Sequence, residues 1–141
     1  MDGKAMKQLV RRYYDELWTQ GRAEFVDEHM AEAYENHDPA TPGKVVSGRA
    51  GMRGLVASYR EAFPDLRFDI VEQFVDGNVV ISRWRAGGTQ RGSLMGIAPT
   101  GRRAADVEGI TISSFEGGRI ARDRVVWDTL GLLRQLGVVP A

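Results

Sequence analysis

The chain has 141 residues, no cysteine, and 19 Lys plus Arg against 19 Asp plus Glu. Zero net charge argues against general nucleic-acid binding and against an electrostatic membrane anchor, both of which need a basic surface. The lack of cysteine excludes disulfides, thiol catalysis and thiolate metal sites.

No apolar run approaches the roughly 20 residues of a membrane-spanning helix, and Met1 to Lys7 lacks the apolar segment of a secretory signal. The expectation is a soluble, cytoplasmic protein with one domain over residues 1–141. That length buries a core without staples.

The first predicted element is an amphipathic helix from about Lys4 to Trp18. Met6, Leu9, Val10, Tyr13, Tyr14, Leu17 and Trp18 share one face at helical spacing, and Gly21 ends it. A shorter helix is predicted over Ala23 to Ala31. Tyr34 to Gly43 reads as a loop, because Asn36, His37, Asp38, Pro39, Pro42 and Gly43 crowd together. Ser47 suits the cap of a third helix, whose apolar positions Met52, Leu55, Val56, Tyr59 and Phe63 precede the stop at Pro64.

From Leu66 the apolar period changes to two. Leu66 to Phe74 and Val79 to Thr89 form a hairpin about Asp76-Gly77-Asn78. Gln90 to Gly101 is a long loop. Arg102 to Phe115 and Arg119 to Trp127 form a second hairpin about Gly117-Gly118, and Asp128, a natural cap, begins a short closing helix to Gly137. Helices followed by long antiparallel strands define an α+β class. Long strands curl, and the space between the concave sheet and the helices is a natural pocket for a small, largely apolar or aromatic molecule.

A two-residue turn at Gly117-Gly118 pairs Glu116 with Arg119. Counting back then places Ile112 opposite Asp123, Ile110 opposite Val125 and Glu108 opposite Trp127. On that count these residues share a mostly apolar, inward face with Ala121. Asp123 is the anomaly on it. A carboxylate buried there is paired, hydrogen-bonded or shifted upward in pKa. The last state is that of an acid or base working near neutral pH. A structural partner, or a register slip that turns Asp123 outward, are the alternatives.

Other candidates carry alternatives of their own. Glu108 lines the inward face near the open end, or pairs with Arg102 or Arg103 at the rim. His37 serves as acid or base at the pocket mouth, or ties down its own loop. Tyr13 or Tyr14 points a hydroxyl into the pocket, or packs in the core. Trp84 and Trp127 stack on a flat ligand, or fill the core. No nucleotide or metal motif is present: the paired glycines precede no helix, and two distant histidines make no metal site.

Four strings in order resemble the SnoaL-like polyketide cyclase family, of the nuclear-transport-factor-2-like superfamily. They are Tyr34-Glu35-Asn36-His37-Asp38-Pro39, Ala62-Phe63-Pro64-Asp65-Leu66, Gly96-Ile97-Ala98-Pro99-Thr100-Gly101-Arg102, and Trp127-Asp128-Thr129-Leu130-Gly131-Leu132-Leu133-Arg134-Gln135-Leu136-Gly137. The resemblance implies a cone-shaped barrel of a curved mixed or antiparallel sheet packed on three N-terminal helices, with a short C-terminal helix. It implies a homodimer or homotetramer, no cofactor and no metal.

The resemblance also implies acid/base catalysis of an intramolecular aldol ring closure on an aromatic polyketide ester, with Asp123 as the acid/base; His37, read from its own loop, is a second candidate. Tyr14, Trp84, Gln90, Glu108, Ile110 and Trp127 are the expected substrate contacts. Many relatives have histidine in place of Gln90, which hydrogen-bonds but cannot shuttle a proton. They also have Glu-His-Trp in place of Arg122-Asp123-Arg124. The same fold hosts epoxide hydrolases, isomerases, hydroxylases and binding proteins, which are the alternative functions.

Overall fold

The computed structural model describes residues 1–141. Helix α1 spans Gly3–Arg12, and the side chain of Asp2 caps it by accepting from the Ala5 backbone N–H at 2.8 Å. The predicted stripe is buried as expected, but the helix changes character at Tyr13. Tyr13–Thr19 is a π-helix, whose wider turn buries Tyr13, Tyr14, Leu17 and Trp18 together. Such segments are rare and concentrate at functional sites. Gly21 ends the run with φ +74.

Helix α2 is Glu24–His29, shorter than expected, because the chain turns extended at Met30. The region read as a loop is largely a strand, β1 (Met30–His37), followed by a short strand β2 (Val45–Ser47). Polar composition hid β1. Its inward residues Tyr34 and Asn36 are buried, as is Asp38 just beyond it, while Glu35 and His37 are only partly buried. Polar side chains are tolerated in such a strand when each finds a buried partner, and these do.

Helix α3 (Gly48–Ala62) follows. Ser47 sits at its cap position without a side-chain cap bond. Strands β3 (Arg67–Asp76), β4 (Val79–Thr89), β5 (Arg103–Glu116) and β6 (Arg119–Trp127) match the predicted pair of hairpins. Helix α4 (Thr129–Gln135) is capped by Asp128, which accepts from the Gly131 N–H at 2.8 Å.

The six strands lie in the order β2-β1-β6-β5-β4-β3. Strand β1 runs parallel to β6 and every other pairing is antiparallel, so the sheet is mixed and the class is α+β. It curls without closing: β2 and β3 remain its edges. The helices cover the concave face, with α3 against β1 and the π-helix against β3.

The register of the last hairpin differs from the count. Glu116 pairs with Arg119, but a bulge at Ala121 inserts one residue. Beyond it Ser113 faces Asp123, Thr111 faces Val125 and Gly109 faces Trp127. A one-residue shift reverses the face of every partner. Ile110 and Ile112 therefore lie outside, 45% and 38% exposed. Glu108 is also outside, held by Arg83 at 3.1 Å and Arg85 at 3.4 Å rather than by the rim arginines. A second bulge near Val71 turns Phe74 outward and Gln73 inward, where it donates to the Lys7 carbonyl and to Ser82.

Candidate active site

The cavity between the concave sheet and the helices has about 730 Å³ of space, its open mouth included. Fifteen of its 19 lining residues are hydrophobic, so a ligand there exchanges water mainly for rings and aliphatic groups. The π-helix contributes Tyr13, Tyr14 and Trp18; the sheet contributes Phe68, Trp84 and Trp127; α3 contributes Tyr59. Trp84 fits because Gly109 stands opposite: a Cβ there would lie 2.2 Å from the indole.

The inner face of β5 is built in layers. Gly109 lies between Trp84 and Trp127 across the sheet. One step deeper, Thr111 bonds the Tyr14 hydroxyl and accepts from Trp84 Nε1 at 2.9 Å. One step deeper again is Ser113, which donates to Asp123 Oδ1 at 2.5 Å.

Asp123 is fully buried. Its other oxygen accepts from the Tyr34 hydroxyl at 2.6 Å, and Tyr34 in turn accepts from Asn36 Nδ2 at 3.0 Å. Asp123 is not itself part of the cavity wall; Asn36 and Tyr13 are. The carboxyl therefore sits one layer behind the floor, joined to the cavity through hydroxyls and an amide.

Burial drives its pKa above the ordinary aspartate value. Hydrogen bonds from Ser113, Tyr34 and Tyr13 pull the other way and do not cancel the effect. The hydroxyls of Tyr13, Tyr14 and Tyr34 are raised too, by burial first and by the Asp123 charge second.

A second carboxylate stands nearer the ligand space. Asp38 lines the wall at 8% exposure. Its Oδ2 accepts from Trp127 Nε1 at 3.0 Å, and its Oδ1 from the Ala40 N–H at 2.8 Å. Tyr59 is raised by burial and then by this charge.

Of the residues named from sequence, Tyr14, Trp84 and Trp127 line the cavity, and Asp123 lies behind it. Ile110 and Glu108 do not line it, for the register reason given above. His37 does not either: the pleat of β1 turns it to the outer face, where it pairs with Glu35 at 3.1 Å. Gln90 is buried but occupied with its own loop. Its Nε2 donates to the carbonyls of Gly92, Ile97 and Ala98, and its Oε1 accepts from Thr100 N and Oγ1.

Sequence reasoning did not find Tyr34, Asn36, Asp38, Thr111 or Ser113. The alternation of Tyr34, Asn36 and Asp38 was a usable period-two signal, masked by the turn-forming composition around it. No three His, Cys, Asp or Glu side chains converge as a metal site would need.

With this geometry in hand, comparison with known proteins gives the family. The SnoaL-like polyketide cyclase profile matches residues 8–136, and the chain belongs to that family. No functionally curated protein matches it in sequence.

Among solved structures, a candidate polyketide cyclase from Acidithiobacillus ferrooxidans is 30% identical, with 98% of each chain covered and a TM-score of 0.86. TsrD from Streptomyces laurentii is 28% identical over 99% of both chains, with a TM-score of 0.87. IdmH from Streptomyces antibioticus, described as a candidate polyketide cyclase, is 27% identical, with a TM-score of 0.80. The alignment covers 94% of this chain and 98% of that one. The fold is that of the nuclear-transport-factor-2-like proteins, with the sheet open rather than closed.

Proposed function

We propose that the protein is a cofactor-independent acid/base enzyme of the polyketide cyclase kind, closing a ring in an aromatic polyketide ester by intramolecular aldol addition. The observation that carries this reading is Asp123. It is a fully buried carboxyl with a raised pKa, linked by hydroxyls to the floor of an aromatic cavity. Family membership and the polyketide cyclase descriptions of its relatives support it.

In the proposed reaction the cavity excludes water and holds the two reacting carbons close, which supplies much of the rate. A proton leaves the carbon between two carbonyls and passes through the Tyr13 hydroxyl to Asp123, Tyr13 giving up its own proton as it takes the substrate's. The carbanion attacks a ketone carbon of the same molecule, a C–C bond forms, and the carbonyl pair becomes an alkoxide. The proton returns to that oxygen. The product is an isomer of the substrate, so neither water nor an oxidant enters the balance.

The Asp123→Asn variant keeps the shape but exchanges one accepting oxygen for an N–H donor, so that Ser113 or Tyr34 must turn its hydroxyl to accept. It is expected to lose about 10²- to 10⁴-fold in turnover, followed by absorbance and by the unchanged mass of the product, while still binding ligand. Unimpaired turnover in this variant removes Asp123 from the mechanism.

One observation favours a second reading. No atom of Asp123 reaches the cavity surface, as suits a binding protein with a structural carboxyl. Equal ligand binding by parent and variant, with turnover by neither, is the result that reading predicts. We also propose a cytoplasmic homo-oligomer; exposed Phe74, Ile110, Ile112 and Val126 supply an apolar outer face for the contact.

A further inference from the structure

The charge inside the cavity is one-sided. Its wall includes no Lys, Arg or His, and its one ionisable group of low ordinary pKa is Asp38. The neighbouring His37 is turned away and spent on Glu35. None of the chain's ion pairs involves Asp38.

A carboxylate this buried, without a cation, is costly unless its oxygens are hydrogen-bonded. Each oxygen has one donor, Trp127 Nε1 on one side and the Ala40 N–H on the other. Each therefore keeps acceptor capacity. The rings beside it, Trp127 and Tyr59, stand edge to face with centroids 6.5 Å apart, and aromatic faces attract cations and repel anions. The field of Asp38 reaches Tyr59 and Tyr14 on the cavity wall. That of Asp123 reaches Tyr13 and Tyr14 from behind.

We propose that Asp38 is the specificity-determining group of this cavity: it receives a hydrogen-bond donor, hydroxyl or ammonium, carried by the ligand's ring system, and it keeps carboxylates out. The proposal rests on the cavity being the ligand site, as the proposed function has it, and not on the chemistry of Asp123. It narrows the substrate class to ring compounds whose acid groups are esterified or absent and which present a donor to the Asp38 wall.

The test is a ladder of four naphthalenes of one shape, titrated calorimetrically at neutral pH: 1-naphthylmethylamine, 1-naphthalenemethanol, 1-methylnaphthalene and 1-naphthoate. The two donors are expected to bind at least tenfold tighter than the methyl compound, with naphthoate weakest. Asp38→Asn should remove the advantage of the amine and lessen the penalty of the acid. Asp38→Ser also removes the charge, should abolish the advantage of the amine in the same way, and serves if Asp38→Asn does not fold.

Naphthoate binding as tightly as the alcohol in the parent overturns the proposal, as does an amine no better than the methyl compound, or no binding by any of the four. Asp123→Asn separates the two readings. If it loses turnover while the ladder fails in the parent, only the Asp38 proposal falls. If the ladder holds in both proteins and Asp123→Asn keeps full turnover, only the cyclase mechanism falls.

Discussion

Strands β5 and β6 show polar residues to two different surroundings, a dry interior and water. Inside, Thr111, Ser113 and Asp123 are fully buried, and each meets a specific partner. Outside, Glu108, Arg122 and Arg124 are exposed, and Glu108 pairs with Arg85 and shares Arg83 with Glu72 in a loose network. Without water a hydrogen bond is stronger and an unmade one is dear, so the inner set dictates geometry and shifts titration. Outside, water and salt screen the charges, and each pair adds little. Chemistry therefore belongs to the side with fewer charges.

That contrast breaks or holds by substitution. The largest effect is expected at Asp123. Asp123→Ala leaves the Ser113 and Tyr34 hydroxyls without their acceptor and opens a void, at a cost of about 3 kcal/mol in denaturant unfolding. Asp123→Asn should cost much less, and the difference between it and the parent should depend on pH. The folded pKa of Asp123 is raised, so its contribution is full below the ordinary carboxylate range and is lost as pH rises through its raised value. The parent's melting temperature should accordingly fall relative to Asp123→Asn over that rise; a parent that gains instead contradicts the burial argument.

The smallest effect is expected at Arg83, which links Glu72 and Glu108 on the outer face. Arg83→Ala should shift the melting temperature by a small fraction of the Asp123→Ala loss, and the shift should vanish at about 1 M salt. A salt-resistant loss as large as that of Asp123→Ala would mean that the two faces do not differ as argued.

How much of this was legible from the residues depends on which signals compete. The long strands, both glycine turns and the Asp128 cap carried strong local signals, and the structure has them all. Asp123 was recognisable as an inward carboxylate although its partners were misplaced. The bulge at Ala121 has no marker in the sequence.

Binary patterning also pointed the wrong way in β5. Ile110 and Ile112 look like core residues beside Thr111 and Ser113, yet the polar pair is inside because Tyr14, Trp84 and Asp123 need partners there. The same conflict concealed β1, whose Tyr34, Asn36 and Asp38 read as a turn until Asp123 and Trp127 are placed opposite them. Polar sites buried in a fold are where hydrophobic pattern fails as a guide.

The central claim, that burial holds Asp123 as an acid/base group behind the cavity, is tested most directly by titrating its side-chain carboxyl carbon by NMR, the resonance being assigned by its loss in Asp123→Asn. The account predicts a midpoint above the roughly 3.9 of a free aspartate. A midpoint at or below that value would mean that hydrogen bonding or solvent outweighs burial, and would contradict the acid/base role.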